Sequence, residues 1–274
     1  STYPGLPAFP EKTSGLVSAF QTARPEYVWE VPDYKVEDKN DLVIYELLLR
    51  EFTENGSSEG NLKLAMEKLD MLQALGVNAI ELMPVQEFDG NNSWGYNPCS
   101  FFALDKAYGT REDYKKFVDE CHKRGIAVFF DVVFNHATGS FPLAKLYWSG
   151  SNTAENNPWF NVTAKHDFNV FHDINHESEF IRNYFKKNLV YLLDEYNIDG
   201  FRFDLTKGFT QKNTLGNTGA WGNRDDSRIA ILKDYADAIW SCDPNAVVIF
   251  EHLADLSEEK ILGESGIQLW RNMQ

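Results

Sequence analysis

From Leu42 onward the chain keeps a rhythm that few folds can accommodate. Short β-branched or apolar runs alternate with stretches whose apolar residues recur at helical spacing. The pattern predicts strand over 42–48, helix over 62–75, strand over 77–83, helix over 111–123 and strand over 126–133. It continues as helix 179–195, strand 199–204, helix 226–240, strand 246–251, helix 256–262 and a short apolar run at 267–270. Gly76 and Gly125 stand where the first two long helices should stop, since a left-handed residue ends a last turn without steric cost. Strands separated by helices pair in parallel, so about six strands of one parallel sheet are predicted.

Two closures of such a sheet are available, a (β/α)8 TIM barrel or an open doubly wound sheet. No glycine-rich phosphate loop of the G-x-G-x-x-G or G-x-x-x-x-G-K-[ST] type follows the first strand, which weakens the nucleotide-binding form of the open sheet. Long insertions at 84–110 and 137–176 each follow the end of a strand. That is the face on which a barrel assembles its chemistry. The division predicted is an irregular lead-in or linker over 1–40, rich in Pro, Gly and charge, then a partial (β/α)8 barrel over 41–274.

Composition narrows the partners. Lys and Arg number 26 against 41 Asp and Glu, a formal charge of −15, so the clustered cations that neutralise phosphates are missing and a nucleic acid is not expected. No run approaches the roughly 18 apolar residues of a membrane helix. Residues 1–10 lack the charged-then-apolar pattern of a signal peptide, and the compartment stays open. Cys99, Cys121 and Cys242 show neither metal-type spacing nor an even count and read as buried free thiols.

Polar residues gather at three strand ends, in Asp131-Val132-Val133-Phe134-Asn135-His136, Gly200-Phe201-Arg202-Phe203-Asp204 and Ile249-Phe250-Glu251-His252. Alternation along a strand puts Arg202 and Asp204 on one face and Phe201 and Phe203 on the other. The adjacent guanidinium is expected to keep Asp204 ionised, while apolar neighbours such as Ile249 and Phe250 are expected to raise Glu251 toward the range of a general acid. Two carboxyls tuned apart fit glycoside cleavage, where one attacks the anomeric carbon and the other protonates the leaving oxygen.

D-V-V-F-N-H at 131–136, G-F-R-F-D-L-T-K at 200–207 and the strand ending at Glu251 resemble the first three of the four short conserved regions of the α-amylase family of glycoside hydrolases. Ser93-Trp94-Gly95-Tyr96-Asn97-Pro98 is similar to a segment of its branching-enzyme and pullulanase-type members. The resemblance implies retaining cleavage of α-glucosidic bonds in starch- or glycogen-type glucans, with Asp204 as nucleophile, Glu251 as acid/base and Arg202 holding the nucleophile. It implies substrate contacts from Tyr96, His136, Trp94, Lys207 and His252, and Asp131 bracing Arg202 and His136. Asn135 matches a contributor to the family's structural calcium site, with Asp173 a candidate second ligand. Transfer to a sugar hydroxyl, as in branching, and a non-catalytic glucan-binding relative are the alternatives.

Position 208 is Gly where many α-amylases have His, and the family's fourth region, an N-H-D segment, has no counterpart before Gln274. The expectation is that the remainder of the barrel belongs to a longer chain, and that the 274 residues alone are inactive.

Overall fold

The computed structural model describes residues 11–12, 17–18, 20–53, 61–90 and 92–270; residues 1–10 of the lead-in lie outside that set. Six strands form the main sheet: β1 (Ile44–Leu47), β2 (Ala79–Leu82), β3 (Ala127–Val132), β4 (Gly200–Phe203), β5 (Val247–Glu251) and β6 (Gln268–Trp270). They lie in chain order, and every neighbouring pair is parallel. This is a curled run of six (β/α)8-barrel staves, as the rhythm predicts. Among the described residues β1 pairs only with β2 and β6 only with β5.

The helices between the staves are α1 (Leu62–Met66), α2 (Leu69–Ala74), α3 (Arg111–His122), α4 (Glu179–Tyr196), α5 (Asp226–Cys242) and α6 (Leu256–Glu264). Local chemistry sets their ends. Thr110 and Asp113 form a reciprocal capping box at the start of α3, and Asp225 accepts from the Ser227 and Arg228 amides at the start of α5. Gly76 and Gly125 take φ of 82° and 69° just past their helices, the left-handed stop predicted for them. The single helix expected over 62–75 is instead two, broken where the Lys68 amide bonds back to Ala65 in a tightened turn.

Alternation sorts the core into two layers. Ile80, Leu82, Val128, Phe130, Phe201, Phe203, Val248 and Phe250 point outward and pack under the helices. Ala79, Ala127, Phe129, Val247 and Ile249 point inward and make a smaller cluster on the barrel axis. Each large side chain so buried contributes roughly 1.5–3 kcal/mol.

The inner cluster is closed from below by the lead-in. Tyr34, Val36 and Leu42 pack against it. Tyr34 also stacks on His122, ring centroids 4.2 Å apart. Asp119 of α3 accepts from the amides of Glu30 and Val31, each at 3.0 Å. Lys39 Nζ donates to the Ala246 carbonyl at 3.0 Å, and Gln268 Nε2 donates to the Lys39 carbonyl at 2.6 Å, so this end of the strap reaches the late strands.

Candidate active site

At the opposite end, strands β2 to β6 deliver inward side chains to one spot. The centre is Arg202, 5% exposed, on β4. Its Nη1 donates to Asp131 Oδ1 and Oδ2 at 3.1 and 3.0 Å and to Asp204 Oδ1 at 3.1 Å. Its Nη2 donates to Glu251 Oε2 at 2.8 Å. Trp270 on β6 covers one guanidinium face at 5.0 Å. From β2, Glu81 Oε1 approaches Nε no closer than 3.8 Å.

The loop after β2 brings Tyr96, whose hydroxyl donates to Asp131 Oδ2 at 2.8 Å. His136 Nε2 lies 2.8 Å from the Tyr96 carbonyl, so this imidazole fixes the tyrosine's backbone. Asp131 was expected to brace both Arg202 and His136; it braces Arg202 and Tyr96, because the histidine finds that carbonyl instead. The Leu205 amide adds a 3.1 Å bond to Glu251 Oε2, leaving Oε1 without a partner among the described residues. Trp94 stands exposed on the rim loop. Lys207 donates to the Leu253 carbonyl at 3.0 Å and lies 4.0 Å over the Trp221 ring.

Electrostatics corrects one expectation. The neighbouring arginine was expected to keep Asp204 well inside the ionised range. Burial pushes its carboxyl up to about 7, with Asp131 and Glu251 adding to the rise and Arg202 opposing it. The sequence argument counted one cation and one anion, whereas four carboxyls crowd one guanidinium. Asp131 is likewise raised by burial to about 6 against the pull of Arg202.

His252 is a second correction. It is not open to a substrate: it points outward from the strand and is fully buried, Nε2 at 2.8 Å from Glu258 Oε1 and Nδ1 at 2.9 Å from Thr206 Oγ1. Glu258 in turn receives Arg228 Nε at 2.7 Å and Nη2 at 2.8 Å. The Thr206 hydroxyl sits 3.0 Å from the Glu251 carbonyl, so this buried network holds the backbone of the acid.

The calcium expectation meets a partial donor set. Asn135 Oδ1 and Asp173 Oδ1 are buried without hydrogen-bond partners, as a ligand pair would be. No group of three or more His, Cys, Asp or Glu suited to a metal gathers among the described residues, and a hard cation takes six or more oxygens. Burial raises Asp173 to about 7 in the metal-free chain. Gly208 packs directly against Asn135 and His166, so a larger residue there would collide with them. Asn135 and Asp173 would supply two of the oxygens such a cation takes.

The loop histidines 166 and 176 are buried. Burial holds them at about 4 and about 3, as neutral rings. His176 ties Tyr235 to the Phe134 carbonyl at 2.8 Å each. Phe101, on the loop after β2, is core, edge-on to Phe134, Phe141 and Phe185.

Parallel staves with helices outside and acids clustered at the C-terminal rim define a (β/α)8-barrel protein with a carboxylate–arginine site. A family model described as the catalytic domain of alpha amylase matches residues 46–169. A malto-oligosyltrehalose trehalohydrolase of Saccharolobus solfataricus is 30% identical over 257 residues, covering 93% of this chain and 40% of that protein. A 1,4-alpha-glucan branching enzyme of Aliivibrio fischeri is 30% identical over 237 residues, 81% of this chain and 32% of that protein. The crystal structure of a putative alpha amylase from Salmonella typhimurium superposes with a TM-score of 0.64 at 27% identity, over 82% of this chain and 34% of that one. The chain belongs to the α-amylase family. It spans less than half the length of these relatives.

Proposed function

We propose that this segment carries the nucleophile and the acid/base of an enzyme that cleaves α-glucosidic bonds in starch- or glycogen-type glucans with retention. One observation carries the reading: Asp204 and Glu251 are held by the two terminal nitrogens of a single buried guanidinium, beside Tyr96. Retaining cleavage needs carboxyls about 5–5.5 Å apart, and a shared guanidinium keeps the pair close.

In this mechanism Asp204, ionised and clamped at Oδ1, attacks the anomeric carbon through its other oxygen. Glu251, anchored at Oε2 by Arg202 and the Leu205 amide, passes a proton from its free oxygen to the departing one. It then takes a proton back from the incoming water as the ester is released. Tyr96 offers an aromatic face to the sugar, its hydroxyl locked on Asp131. A sugar hydroxyl in place of water gives the transglycosylase alternative, and the likeness to a branching enzyme favours keeping it.

The test uses the longer polypeptide that contains this segment. Glu251→Gln should lower turnover of soluble starch by about 10²–10⁴-fold with binding retained, and undiminished turnover removes Glu251 from the role. New reducing ends identify hydrolysis; branch points added at constant reducing value identify transfer. Glucan binding with no turnover in the unsubstituted protein would leave the non-catalytic reading.

A further inference from the structure

Glu81 is the acid at the site that this mechanism does not use. It sits on β2 between Ile80 and Leu82, which pack outward, so its own side chain faces the barrel axis at 1% exposure. Both carboxyl oxygens are buried without a hydrogen-bond partner, and so is Arg202 Nε, 3.8 Å away. That gap is too long for a hydrogen bond. An ionised carboxylate with two empty oxygens beside a free cationic N–H would close it, because an unpaired buried charge costs several kcal/mol.

We infer that Glu81 is a positioning residue that keeps a proton at rest: a neutral acid beneath the Nε edge of Arg202, which leaves the arginine's Nη1 and Nη2 to Asp131, Asp204 and Glu251. The groups facing it agree. Glu46 from β1, Asp131 from β3 and Glu251 from β5 all oppose its ionisation, and Arg202 from β4 alone favours it. Burial is the largest influence, and together they push the carboxyl up to about 9. Four carboxylates around one guanidinium could not all be charged, and the acid with no hydrogen bonds is the least stabilised as an anion. Once ionised, Glu81 would draw Nε toward the barrel interior and pull Nη1 and Nη2 away from Asp204 and Glu251.

The test is spectroscopic, with a kinetic arm that alone rests on the proposed glycosidase reading. Infrared difference spectra of this chain at rising pH should show the carbonyl stretch of a protonated carboxylic acid at pH 7. Its component that bleaches near pH 9, above those of Asp204 and Asp173 near 7, should be missing in Glu81→Gln. A spectrum at pH 7 that Glu81→Gln leaves unchanged overturns the inference. Should the variant not fold, glutamate-carboxyl 13C shifts of the unsubstituted chain decide, with one resonance staying at its protonated position beyond pH 7. All glutamates ionised by pH 7 would overturn it. In the longer polypeptide, Glu81→Gln should move the alkaline limb of kcat/KM upward, and a limb that stays in place overturns the link to Arg202. If the unsubstituted enzyme turns over no glucan, the glycosidase reading fails while the spectra still judge Glu81.

Discussion

Two buried arginines, Arg202 and Arg228, teach opposite lessons. Arg228 meets one carboxylate, Glu258, and its remaining N–H groups reach the carbonyls of Lys207 and Asn223 at 3.1 and 3.2 Å. His252, Arg228 and the Asp225 amide all donate to Glu258 and outweigh its burial, holding it down at about 2. Arg202 meets four carboxyls and leaves Nε empty, and there burial wins, raising Asp131, Asp204 and Glu81. The first cluster is closed and structural. The second is over-supplied with acid, and such frustration is what gives a site groups that titrate in the working range.

The sharpest way to break the contrast is Arg228→Leu. It strands a buried carboxylate and should cost about 3–5 kcal/mol in urea unfolding, a loss that Glu258→Met in the same chain should largely restore. Next comes Glu81→Gln. A carboxyl raised from 4.5 to about 9 contributes stability that is present below 4.5 and drains away up to 9. The variant should therefore gain about 3 kcal/mol on the unsubstituted chain between pH 4 and pH 7. Glu258 predicts the reverse sign: its contribution is present above 4.5 and lost as pH falls toward 2, so acid titration should loosen the Arg228 cluster first. Thr206→Val should cost about 1 kcal/mol by unpairing His252 and the Glu251 carbonyl, read as a lower Tm. Smallest of all, a chelator should leave Tm unchanged if Asn135 and Asp173 hold no calcium, and a clear drop would show that they do.

Much of this was legible in the sequence because strand parity is rigid. Period two put Arg202 inside and Phe201 and Phe203 outside, and the structure agrees. The same parity, applied one residue past Glu251, would have sent His252 outward into the wall, away from the rim. Glu81 carried a signal as well, a lone acid at an inward position of an apolar strand, and Trp270 pairs in register with Glu251. Charge balance was not legible. How many carboxyls share one guanidinium depends on which staves are neighbours, and no local window contains residues 81, 131, 204 and 251 together.

The strap under the barrel carries a consequence for how such a chain is made and trimmed. The bond between Gln268 and Lys39 spans 229 residues, so a segment that leaves the ribosome early gains its last anchor only when the sixth stave exists. Until then the lid over Phe129 and Ile249 is tied to α3 and to the Ala246 carbonyl alone. Cutting the polypeptide back to its first strand, as a domain boundary drawn at residue 41 would invite, uncorks the cylinder and lets water in from underneath.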